Sequence, residues 1–122
     1  MAHSEIIVLV VEDEPLVRMG LVDHLEDDGF TVLEASNADD AIKILLKNLD
    51  VTIVFTDVDM PGSMDGLKLA AAIRTLWPPV KIVVTSGHRK VTLEELPIEA
   101  EFIPKPYSID KLAKTFRTLA TH

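Results

Sequence analysis

The stretch VFTDVDMPG, from Val54 to Gly62, sets two carboxylates, Asp57 and Asp59, between an apolar run and a proline-glycine turn. A second acidic group, Glu12-Asp13-Glu14, follows another apolar run near the start of the chain. Ser86-Gly87 ends a further run, and Lys105 stands between Pro104 and Pro106. Carboxylates held close together at low dielectric repel one another strongly, so raised pKa values or a bound cation must compensate. A hard divalent ion such as Mg2+ suits the need, binding through a few carboxylates with waters and phosphate oxygens. A hydroxyl and an ammonium beside that ion would hold the oxygens of a phosphoryl group. A carboxylate can itself be the nucleophile and become an aspartyl-phosphate.

These groups act together only if the fold gathers them. Residues 6–11 are a continuous β-branched apolar run, as expected of a strand covered on both faces, and residues 31–35, 51–56, 80–85 and 101–103 read as four further strands. Between them lie amphipathic segments. Residues 15–27 predict a helix with Leu16, Met19, Val22 (or Leu21) and Leu25 on its inner face, with the methionine as core filler and Gly29 as the stop. Asn37 caps a second helix to about residue 48, with Ala41, Ile42, Leu45, Leu46 and Leu49 inward. A third covers 67–77 before Pro78-Pro79, and Ser108 caps a last one over 109–120. Residues 91–96, cut off by Pro97, predict a short or irregular fourth helix. Strands alternating with helices imply an α/β doubly wound five-stranded parallel sheet. In strand order 2-1-3-4-5 the first, third, fourth and fifth strands are neighbours. Sites in such sheets lie beyond the carboxyl ends of the strands, where the acids, the hydroxyl and the lysine all fall.

The 122 residues suffice for one domain, expected to span residues 1–122. A net charge of -8 argues against direct nucleic-acid binding, which needs clustered Lys and Arg. The chain has no cysteine, which rules out disulfides and thiolate metal sites. No segment has the pattern of a signal peptide or the roughly 18 apolar residues of a membrane span, so a soluble, cytoplasmic protein is expected.

The motifs VVEDEP, FTDVDMPG, MDGLKLA, VVTSGH and IPKPY, in this order and spacing, resemble the receiver domain of two-component response regulators. The resemblance covers essentially the whole chain and implies the flavodoxin-like receiver fold. It makes Asp57 the phosphoacceptor, Glu12 and Asp13 the acidic pair that holds Mg2+ with Asp57, and the Asp59 backbone carbonyl a further metal ligand. Ser86 and Lys105 would bind the phosphoryl group, and Ser86 and Phe102 would switch with it. It also implies a cis Lys105–Pro106 bond. By their positions His88 and Asp59 would tune water access, with a plain loop residue as the alternative for His88, and Pro61 and Gly62 would shape the loop. The implied function is a phosphorylation-activated switch in a phosphorelay, fed by a histidine kinase or a histidine phosphotransfer protein and read by a downstream protein. Its only catalysis would be its own phosphoryl transfer and autodephosphorylation. Two positions depart from the commoner pattern, Glu12 for Asp and Ser86 for Thr, and both keep their chemistry. No output domain follows the last helix in this sequence, so the chain is expected to be either a stand-alone, single-domain receiver or one excised from a longer protein.

Three rivals share parts of the pattern. Haloacid-dehalogenase-type phosphatases also form an aspartyl-phosphate at an Asp-x-Asp motif, but on their first strand rather than the third. A flavodoxin-like electron carrier needs a hydroxyl- and glycine-rich loop where Glu12-Asp13-Glu14 stands. A degenerate receiver, acting only as a binding module, would have lost some of the acidic, hydroxyl and lysine positions that remain here.

Overall fold

The computed structural model describes residues 5–60, 64–87, 91–92, 94–97 and 99–121. The expectations for Pro61, Gly62 and His88 lie outside these residues. Strands β1 (Ile7–Val11), β2 (Thr31–Ala35), β3 (Ile53–Asp57), β4 (Lys81–Ser86) and β5 (Glu101–Pro104) form one parallel sheet in the order β2-β1-β3-β4-β5. Helices α1 (Pro15–Asp27), α2 (Ala38–Lys47), α3 (Gly66–Leu76) and α4 (Ile109–Ala120) connect or follow them. Among the described residues of 91–100 there is no helix, only turns closed by Glu95 N–H to Thr92 and Ala100 N–H to Pro97. The irregular segment before β5 is thus as expected.

Alternation along each strand divides the core into two layers. Ile7, Leu9, Val11, Val54, Ile82 and Val84 face α2 and α3. Val8, Val10, Ile53, Phe55 and Val83 face α1 and α4. Four of the six aromatic rings gather in the second layer, where Phe116 meets Phe30 and Phe55 edge-on and Tyr107 meets Phe55 at 5.6 Å.

Side-chain caps fix where α2, α3 and α4 begin. Asn37 accepts from Asp40 N–H, Asp65 from Lys68 N–H and Ser108 from Lys111 N–H. The helix faces need two corrections. Leu16 is 79% and Met19 57% exposed, whereas Leu21, Val22 and Leu25 are buried. A spacing of three drifts by about 60° per step on a 3.6-residue helix, so the 16-19-22-25 series winds off the face. The true inner stripe is 18-21-22-25, which places Arg18 inward. In α2, Ala38, Ala41 and Leu45 are buried, while Leu46 and Leu49 are exposed. Leu46 lies about 100° round from Leu45. Leu49 lies past the helix end, where Asn48 turns its side-chain amide back to the Ile44 carbonyl at 2.8 Å.

Candidate functional site

The register sets Asp57 beside Thr85 and Ser86 beside Pro104, so β3, β4 and β5 end in one row. Glu12 and Asp13 leave β1 at the same edge, next to Asp57. Carboxylate oxygens of Glu12, Asp13 and Asp57 lie within 4.8 Å of one another. Asp57 is 6% and Glu12 4% exposed, so water screens their charges poorly. Their all-oxygen donor set fits Mg2+.

The two buried acids, Asp57 and Glu12, are held by specific donors. The Asp59 N–H donates to Asp57 Oδ1 at 3.2 Å, and Lys105 Nζ donates to Asp57 Oδ2 at 2.7 Å. Lys105 Nζ also lies 4.0 Å from Glu12 Oε1, whose other oxygen accepts the Glu14 N–H at 3.0 Å. Burial pushes the Glu12 carboxyl above its ordinary pKa, with the charge of Asp57 adding to the shift. Burial alone would pull Lys105 down. The hydrogen bond and charge of Asp57, with Glu12 and Asp59 behind it, outweigh that and hold the ammonium above its ordinary pKa. The Lys105–Pro106 bond is cis, as the resemblance implies.

The hydroxyl position also resolves. Ser86 Oγ donates to Asp59 Oδ2 at 3.1 Å. Thr85 Oγ1 is buried without a partner among the described residues. A strand alternates its side chains, so only one of these neighbours faces the acids. Phe102 is half-buried against the layer that contains α2 and α3.

Three supporting residues have no role in the sequence reading. The Arg18 guanidinium donates to the Glu12 carbonyl at 2.7 Å and pairs with Glu34 of β2 at 3.0 Å. The correct helical phase of α1 was the available signal. Gly66 donates its N–H to the Val58 carbonyl, and a Cβ there would sit 1.9 Å from the Asp57 carbonyl oxygen. The helix start thus needs glycine to approach the acidic strand end, and the pair Asp65-Gly66 was the visible cue. Gly87 lies beside the Lys105 stem, where a Cβ would come within 3.2 Å of Lys105 Cδ.

A doubly wound sheet with acids, a hydroxyl and a lysine at its carboxyl edge defines a narrow class of phosphoryl-handling proteins. The response regulator receiver domain model matches residues 8–117, and the chain belongs to that family. The sensor kinase CckA of Brucella abortus (strain 2308) is 40% identical over an alignment of 116 residues that covers 92% of this chain and 12% of that protein. The nitrogen assimilation regulatory protein NtrX of Azorhizobium caulinodans is 33% identical over an alignment of 126 positions that covers 99% of this chain and 27% of that protein. The chain therefore spans about an eighth to a quarter of these curated relatives. Among solved structures, the receiver domain of the hybrid histidine kinase CckA superposes with a TM-score of 0.80 at 30% identity, covering 93% of this chain and 98% of that one. The response regulator TrrA of Thermotoga maritima, in complex with Mg2+-BeF, gives 0.80 at 28% identity over the same shares. Among the described residues no helix is long and apolar enough to cross a membrane.

Proposed function

We propose that this chain is a phosphorylation-controlled switch in which Asp57 accepts a phosphoryl group from a histidine kinase or a histidine phosphotransfer protein. The observation that carries this reading is the buried Asp57 carboxylate, gripped by Lys105 at 2.7 Å and grouped with Glu12 and Asp13. A carboxylate oxygen of Asp57 attacks phosphorus, the P–N bond of phosphohistidine breaks, and its electron pair stays on the imidazole. The product is an acyl phosphate on Asp57. Hydrolysis reverses the charge state: water attacks phosphorus, the P–O bond to Asp57 breaks, and carboxylate and inorganic phosphate result.

Lys105 supplies a fixed positive charge to the phosphoryl oxygens, and Ser86 supplies a hydroxyl donor. Glu12, Asp13, Asp57 and the Asp59 carbonyl would hold Mg2+, which when bound neutralises the acids and the incoming phosphoryl oxygens. The Mg2+-BeF complex of TrrA supports this choice of ion. A receiver's catalysis ends with its own transfer and hydrolysis, and the protein acts by changing what binds it. Ser86 and Phe102 are the residues assigned to relay the change.

Calorimetric titration with Mg2+ tests the metal half of the proposal. Asp13→Ala is expected to weaken Mg2+ binding by about tenfold or more, since it removes one of very few charged ligands. Unchanged affinity would overturn the assignment.

A further inference from the structure

Asp59 meets the site through both its backbone and its side chain. Its N–H donates to Asp57 Oδ1, while its Oδ2 accepts the Ser86 hydroxyl at 3.1 Å. Ser86 is 3% exposed at the end of β4, so its hydroxyl reaches only what lies directly at the strand edge. A serine hydroxyl carries one proton to donate. That proton can go to the Asp59 carboxylate or to a phosphoryl oxygen on Asp57, never to both.

Resting on the phosphoacceptor reading above, we propose that the Asp59 side chain is a latch on Ser86. It holds the hydroxyl in the unphosphorylated form and competes with the phosphoryl group for it. Asp59 is then a positioning residue that sets how tightly the site takes a tetrahedral phosphoryl group. The role differs from that of its backbone carbonyl, which every substitution at this position preserves. A bond from a hydroxyl to a carboxylate is stronger than one between neutral groups, so releasing it opposes phosphorylation. Asp59 is exposed, so water can rehydrate the released carboxylate and the opposition stays moderate. Release also opens the only side-chain hydrogen bond between Asp59 and the end of β4 among the described residues. The backbone bond from Val58 N–H to the Thr85 carbonyl remains to hold the strands together.

A double-mutant cycle separates the hydrogen bond from the charge. Beryllofluoride is titrated at saturating Mg2+ into the wild type, Asp59→Ala, Ser86→Ala and the double variant, with circular dichroism confirming the fold. Asp59→Ala is expected to bind about tenfold more tightly than the wild type. In the Ser86→Ala background the same change should gain less than about threefold, because only a screened surface charge is lost. Equal gains in both backgrounds would show that Asp59 acts by charge alone and would overturn the latch. No gain, or a loss, in the Ser86 background would overturn it equally. If Asp59→Ala does not fold, Asp59→Asn takes its place in the cycle, with a smaller gain expected that again needs Ser86. A wild type that takes no beryllofluoride contradicts the phosphoacceptor reading itself, whereas binding without the Ser86-dependent gain contradicts the latch alone.

Discussion

Tyr107 shows how far the acidic cluster reaches. Burial, followed by the charges of Glu12 and Asp57, pushes its phenol from 10.0 up to about 12. A group whose folded pKa is raised contributes stability that is present below its unfolded value and lost as pH rises through the folded one. Between pH 10 and about 12 the wild type should therefore lose stability that Tyr107→Phe keeps. The difference is at most about 1–2 kcal/mol, because the side chain is only partly buried. Urea unfolding of both proteins on either side of that window checks it, and parallel pH profiles would contradict it. At this scale the acids, the serine and the lysine were legible because each directly follows an apolar run. Arg18 was not legible, since its role depends on a helical phase that period-three counting misplaced. The Ser86–Asp59 bond was equally hidden: the two residues lie on different strands' ends, and spacing says nothing about a donor's partner.

The order of strands and helices was readable at the level of elements, because continuous β-branched runs and capping residues are local signals. Helix faces were less so. A short helix has few apolar positions to define its phase, and Leu46 and Leu49 extend the pattern of α2 past what the sheet can cover. The start of α3 carries the sharpest element-scale prediction. Gly66 lets that helix approach the Asp57 carbonyl, where a Cβ would sit 1.9 Å from the oxygen. The obstruction is backbone on both sides, so no side chain can give way. Gly66→Ala should destabilise the fold by about 2 kcal/mol or more, near the upper part of the overpacking range. Urea denaturation measures this, and a loss under about 0.5 kcal/mol would show that α3 sits farther from β3.

For the molecule as a whole, the proposed function requires that a phosphoryl group held at the carboxyl ends of the strands be reported elsewhere. Ser86 and Lys105 bracket the turn-rich segment around residues 91–100, and β5 carries Phe102 out of it. Val91 is buried and Leu96 and Ala100 pack against the core, but no helix or strand holds the described residues of that segment, so a small shift at Ser86 can move it. Hydrogen exchange with and without beryllofluoride should change protection in 91–100 and in α4. Changes confined to the surroundings of Asp57 would place the output surface elsewhere. The receiver fold and the grouping of acids were open to sequence reasoning, whereas the identity of the partners was not, because a docking face is written in shape rather than motif. The central claim is chemical and has a direct measurement. The protein is incubated with acetyl phosphate and Mg2+, digested, and the phosphoryl group is located by mass spectrometry. The account predicts a single adduct on Asp57 that hydroxylamine removes and that Asp57→Asn abolishes. An adduct on Asp59 or Asp13, or an undiminished adduct in Asp57→Asn, would contradict it.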